Sequence, residues 1–189
     1  MGPVLSGPSL LLQGDGAPLD TAFQAHLRHL SSQPVDVVVL AASFPSAGSK
    51  TPECDRLIRQ ARVHSCTTIT LPDSRTADAD TVAAMVRRAE SVYFAGGNQC
   101  EYVGWAGQAV HAAVIDVYER GGGVGGGSAG LAIQGEAGYD GCTGSVRSEE
   151  ALANPYDDRI RVADGMFGWP SLRRVVSDSH FAERDRMGR

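Results

Sequence analysis

The sequence predicts an α/β domain, a three-layer sandwich built on a mostly parallel sheet. Three observations predict it. Short apolar runs alternate with stretches of helical periodicity from the N-terminus past the middle of the chain. The run Val37-Val38-Val39-Leu40 is apolar without alternation, as in a strand covered on both faces. Strand-like Ser91–Ala95 is closed abruptly by Gly96-Gly97.

Taken in order, Leu10-Leu11-Leu12-Gln13 reads as a strand ending at the turn signal Gly14-Asp15-Gly16, after which Asp20 can cap a helix running to about Leu30. A strand over Val35–Ala42 is followed by a helix over Glu53–Val63, a strand over Thr67–Leu71 and a helix over Ala77–Ala89. The strand Ser91–Ala95 leads to a helix over Ala109–Arg120, whose Val110, Ala113, Val114 and Val117 form one stripe and which ends at a glycine. A short strand is centred on Val124. Residues Gly135–Pro155 are poor in apolar side chains and read as loops, and Ser171–Ser179 reads as a last strand leading into His180.

The 189 residues fit a single domain spanning 1–189, and no linker, repeat or low-complexity tract divides them. Hydrophobic residues make up 42%, charged residues 21%, and the formal charge is −5. These values indicate a soluble globular chain and exclude non-specific nucleic-acid binding, which needs a surplus of Lys and Arg facing phosphates. The first positive charge is Arg28, so the opening Met1–Gly14 lacks the basic region of a secretory leader. The longest uncharged apolar run, Val37–Ser49, falls short of a membrane span. A cytoplasmic protein is expected. Cys54, Cys66, Cys100 and Cys142 contain no C-x-x-C pair and read as ordinary thiols, with no metal and no cofactor implied.

Chemistry concentrates in three clusters. In Gly121–Gly130 every residue except Val124, Ser128 and Ala129 is glycine. A phosphate loop would need Gly-Lys-Ser/Thr, which is absent, and a dinucleotide fingerprint would need a preceding strand where a helix is expected. Gly126-Gly127-Ser128-Ala129-Gly130 instead fits G-x-S-x-G, a nucleophile elbow in which bulk beside the serine would strike the adjoining strand and helix. The Ala129 N–H would then face a developing oxyanion. A flexible glycine-rich connector is the competing reading. The second cluster, Gly96-Gly97-Asn98-Gln99, follows a strand end and can supply a second oxyanion N–H and a polar substrate contact; a plain βα turn is the alternative. The third is Asp178-Ser179-His180 with the arginines beyond it. Of the five histidines, His180 sits at a strand end beside a carboxylate, where a base for Ser128 is needed.

These clusters, with Ala153-Asn154-Pro155-Tyr156 in the loop between them, resemble the cyanophycinase family of serine peptidases. The resemblance implies a class I glutamine amidotransferase-like fold with serine in place of cysteine, and cleavage next to an aspartyl residue of cyanophycin, of its β-Asp-Arg units or of a related aspartyl peptide. It implies Ser128 as nucleophile, His180 as base, and Gly97 and Ala129 as oxyanion donors. Gln99, Asp178, Arg184, Arg186 and Arg189 would line the substrate pocket, where arginines grip carboxylates in bidentate contacts.

Two departures accompany the likeness. Gly127 stands where the group often has Thr, and the chain stops at Arg189, before the segments that carry the acid orienting the histidine. Asp178 is a poor substitute, because side chains at i and i+2 of a strand stand about 7 Å apart. The expectation is a truncated relative that lacks this acid and exposes a sheet edge or face, favouring instability or homo-oligomers. Two other readings compete. An α/β-hydrolase esterase would take its acid from Asp157, Asp158 or Asp164, between serine and histidine in the chain. A non-catalytic domain would bind aspartyl peptides without turnover.

Overall fold

The structure is a computed structural model that describes residues 7–15, 19–30, 34–42 and 53–189. Parts of the opening segment, Gly16 of the first turn signal and the end of the 37–49 apolar run lie outside the described residues.

Five strands, β1 (Ser9–Gln13), β2 (Val35–Ala42), β3 (Val63–Leu71), β4 (Ser91–Phe94) and β5 (Gly123–Gly127), form one sheet in the order β1-β5-β4-β2-β3. All four pairings are parallel. Alternate residues of β2 serve the two faces, as the period of a strand requires. Val38 and Leu40, with Val92, Phe94 and Val124, pack against Val86 of α4 (Asp80–Arg88), Tyr102 of α5 (Gln99–Val103) and the Val110–Val117 stripe of α6 (Ala109–Glu119). Val37 and Val39, with Tyr93, pack against Phe23 and Leu27 of α1 (Asp20–Arg28) and Leu57 of α2 (Glu53–Leu57). The expected three layers are therefore present, with helices covering both faces of a parallel sheet.

A second, smaller sheet has β6 (Ala137–Tyr139) at its centre, antiparallel to β7 (Val162–Asp164) and parallel to β8 (Val176–Ser177). Its pairing of Gly138 with Ser177 carries the following residues, Asp178 to His180, back toward the main sheet.

Several local expectations are corrected. The helix begun at Glu53 ends at Leu57 and β3 starts at Val63, because β2 pairs with β3 over its whole length and claims those residues as its partner. The expected Ala77–Ala89 helix is two, α3 (Ser74–Ala77) and α4, with Asp73 accepting the Thr76 N–H at 2.8 Å to start the first. Asp20 lies in the first turn of α1 rather than at its cap and pairs with Arg56 at 2.8 Å. The expected loops of 135–155 contain β6 and a short helix α8 (Ser148–Ala153), whose start is fixed by the Arg147 N–H on Glu150 at 2.9 Å; another short helix, α7 (Ala129–Ala132), lies just before them. Of the expected strand Ser171–Ser179 only Val176–Ser177 is extended in a sheet, since Pro170–Leu172 forms a 3-10 turn and Arg174 takes a positive φ of 60°.

The four cysteines are not thiols. Cys54 joins Cys66, and Cys100 joins Cys142. Among the described residues no helix is long and apolar enough to cross a membrane. Strand β1 lies at one edge of the main sheet, with Leu12 40% exposed.

Candidate active site

Strand β5 runs into Ser128 and α7 begins at the next residue, so the serine occupies a one-residue reversal between strand and helix. Its backbone sits at φ 54°, ψ −113°, a conformation that costs a non-glycine residue of order 1–3 kcal/mol and persists only where the surroundings enforce it. They do so here. The Ser128 N–H donates to the Gln13 carbonyl at 3.0 Å, and its own carbonyl accepts the Leu131 and Ala132 N–H groups, each at 3.0 Å.

The glycines around it are required by space. A Cβ on Gly126 would overlap the Gly130 carbonyl, and one on Gly130 would overlap the Phe94 carbonyl of β4. The clash of flanking bulk with strand and helix, anticipated from the motif, is thus with backbone at these two positions, and at Gly127 with the Tyr93 hydroxyl at 2.8 Å.

His180, also at positive φ (55°), follows β8, and its N–H donates to the Gly14 carbonyl at 3.2 Å. Its Nε2 lies 2.5 Å from the Ser128 Oγ. Its Nδ1 faces two carboxylates, Asp15 Oδ1 at 2.9 Å and Glu183 Oε1 at 3.0 Å. The imidazole is only 10% exposed while the two carboxylates are 40% and 48% exposed, so water screens these contacts in part. With Nδ1 protonated and donating to a carboxylate, Nε2 presents its lone pair to the serine hydroxyl.

Two carboxylates thus stand at the histidine nitrogen where none was expected from the sequence. Asp15 comes from the end of β1, next to β5 in the sheet, and Glu183 from three residues beyond the histidine. The signal for Asp15 was present in Gln13-Gly14-Asp15: a polar residue just past a strand of an open parallel sheet faces the ligand crevice. Asp157, Asp158 and Asp164, the acids of the esterase reading, do not contact His180. Asp157 is held instead by Arg159 at 2.8 and 2.9 Å.

The Gly96-Gly97 turn adjoins the elbow, since a Cβ on Gly96 would stand 3.6 Å from the Ser128 Cβ. Among the described residues, no backbone carbonyl or side chain takes the N–H of Ala129 or of Gly97. Asn98 caps α5 by accepting the Cys100 N–H at 3.0 Å, and Gln99 donates its amide to the Tyr139 carbonyl.

The remaining proposed pocket residues divide. Arg189 grips Asp178 in a bidentate pair at 2.6 and 2.9 Å, lies over the Tyr139 ring at 4.3 Å and donates to Ser145. Arg186 is buried, bonds the Ser179 carbonyl at 2.8 Å and stands 3.7 Å from Asp178. Burial, and then the neighbouring Arg189, lower its guanidinium pKa. Both arginines thus face an internal carboxylate. Arg184 is exposed and lines a cleft of about 390 Å³ with Arg147, Glu150 and Glu183.

Three of the other four histidines are engaged elsewhere. His26 is buried between Ser9 and Ser91, His64 pairs with Asp36 at 2.9 Å, and His111 accepts the Gly107 N–H. Asp15, His180 and Glu183 offer ligand atoms within 4.8 Å of one another, a donor set a divalent cation can take. An imidazole metallated on Nδ1 keeps its proton on Nε2, so such binding would leave the Ser128 hydroxyl without an acceptor there.

No protein-family model and no curated protein matches the chain. Its structure is similar to the crystal structure of a peptidase from an acI-B1 Actinobacterium, with a TM-score of 0.52 and 14% sequence identity. The match covers 87% of this chain and 66% of that one, so the chain spans somewhat under two thirds of that protein's length. At this identity the likeness is one of fold.

Proposed function

We propose that the chain is a serine-type peptidase of the cyanophycinase kind, cutting peptide bonds next to aspartyl residues, β-Asp-Arg among them. One observation carries the reading: at a strained elbow Ser128 Oγ lies 2.5 Å from a histidine whose other nitrogen faces carboxylates. A fold shared with a peptidase agrees with it.

In the first step Ser128 Oγ attacks the carbonyl carbon while His180 Nε2 takes its proton. The carbonyl electrons move onto oxygen, and the N–H groups of Ala129 and Gly97 stabilise that charge. As the tetrahedral adduct collapses, the C–N bond breaks and His180 returns the proton to the leaving amine. Water then repeats the sequence on the acyl-serine, releasing the acid and restoring the hydroxyl. The carboxylates at Nδ1 stabilise the imidazolium formed in each half-reaction.

The cleft beside Glu183 suits a substrate bearing carboxylates, because Arg147 and Arg184 can receive them, while its Glu150 already holds Arg159 at 2.9 Å. The test is hydrolysis of β-Asp-Arg polymer and isoaspartyl dipeptides beside a short-chain ester. Release of dipeptide or amino acid, reduced at least about a thousandfold in Ser128→Ala, is expected. Hydrolysis of the ester alone would overturn the assignment.

A further inference from the structure

Two carboxylates compete for one proton on His180, and the backbone distinguishes them. Three consecutive residues at the end of β1 each hold a different part of the reacting pair. The Gln13 carbonyl accepts the Ser128 N–H at 3.0 Å, the Gly14 carbonyl accepts the His180 N–H at 3.2 Å, and Asp15 Oδ1 meets His180 Nδ1 at 2.9 Å. This tripeptide is itself fixed. Gln13 stands opposite Gly127 in the β1–β5 register, its Oε1 accepts the Tyr93 hydroxyl at 3.3 Å, and its Nε2 returns to the Asp15 carbonyl at 3.2 Å.

Glu183 is held too, in a turn closed by the Asp185 N–H on the Ala182 carbonyl at 3.2 Å and the Arg186 N–H on the Phe181 carbonyl at 3.0 Å, yet among the described residues no member of that turn bonds Ser128. Glu183 belongs to the turn that follows His180, in which the Arg184 N–H bonds the His180 carbonyl at 3.1 Å. Its side chain has one more rotatable bond than that of Asp15, so holding its carboxylate at Nδ1 costs more side-chain entropy.

We infer that Asp15 is the positioning acid of this site, and that the Gln13–Asp15 strand end sets the separation and tautomer of Ser128 and His180. Glu183 shares the Nδ1 proton in an auxiliary role. The inference rests on Ser128 and His180 being nucleophile and base. It places the acid before the serine in the chain, an order of acid, serine, histidine.

Asp15→Asn and Glu183→Gln test it, since both are isosteric and at exposed side chains (40% and 48%). Two readouts are needed. For hydrolysis, Asp15→Asn should lower kcat by about 10²–10⁴ with KM changed less than about threefold, while Glu183→Gln should lower kcat by less than about tenfold. In proton NMR, the far-downfield resonance of the His180 Nδ1 proton should persist in Glu183→Gln and vanish in Asp15→Asn. A larger loss in Glu183→Gln, or loss of the resonance only in that variant, would overturn the assignment, as would equal insensitivity to both. The NMR arm needs no turnover. A chain without hydrolytic activity would count against the peptidase reading, and the resonance would still decide between the two acids.

Discussion

The Cα of Gly130 lies beneath the Phe94 carbonyl with no room for a methyl group between them. This contact seats α7 on the end of β4, and it fixes the angle at which Ser128 leaves the sheet. Gly96, on the neighbouring turn, differs in kind: a Cβ there would make an ordinary 3.6 Å contact with the Ser128 Cβ.

Gly130→Ala should therefore destabilise the fold by about 3 kcal/mol or more, because the added atom meets backbone and not a movable side chain. Gly96→Ala should keep the wild-type unfolding midpoint to within about 1 kcal/mol and slow acylation of Ser128 by crowding its approach. Urea unfolding of both variants checks the contrast.

His26 makes the fold acid-sensitive at the opposite ends of the strands. It is buried, its Nδ1 and Nε2 meet the Ser9 and Ser91 hydroxyls at 2.9 and 3.3 Å, and burial, with a smaller contribution from His29, lowers its pKa to about 4. The unfolded chain binds this proton from about pH 6.5 downward, whereas the folded one resists it until about pH 4. The stabilisation is complete above pH 6.5 and falls by about 3 kcal/mol as pH drops to 4, with no further loss from this group below that. Urea unfolding across this window should show a shallower pH slope for His26→Gln than for the wild type. An unchanged slope would contradict the account.

The Cys100–Cys142 bridge closes 42 residues and ties α5, next to Gln99, to the loop after β6. By loop-closure entropy its removal costs up to about 4 kcal/mol, and removal of Cys54–Cys66, across 12 residues, up to about 3. Cys100→Ser/Cys142→Ser should in addition raise KM for aspartyl peptides, since it frees the turn carrying Gly97 and Gln99. Cys54→Ser/Cys66→Ser should melt at a lower temperature than the wild type with KM unchanged. Equal KM values in the two double variants would remove the link between the bridge and the cleft.

Much of this arrangement was legible in the residues themselves. The unbroken apolar run of β2 reports two covered faces, and the glycines around Ser128 report a reversal too tight for side chains. Both signals are local. What escaped was set by distant partners. Asp15 reaches His180 only because β1 pairs along β5, a neighbour more than a hundred residues away. The early start of β3 follows from the length of β2, and the disulfides follow from folding that brings together cysteines with no diagnostic spacing. The arginines show a further limit. The resemblance gives Arg186, Arg189 and Asp178 to one pocket, and the ion pairs that join the arginines to Asp178 are visible only in the folded chain.

Activation of the Ser128 hydroxyl by His180 can be read directly by intact-protein mass spectrometry after incubation with a fluorophosphonate. A single adduct on Ser128 is expected, absent in Ser128→Ala and formed at least about a hundredfold more slowly in His180→Ala, in keeping with the about 10²–10⁴-fold effect of a positioned base. No adduct on the wild-type chain, or an adduct that survives Ser128→Ala, would contradict it.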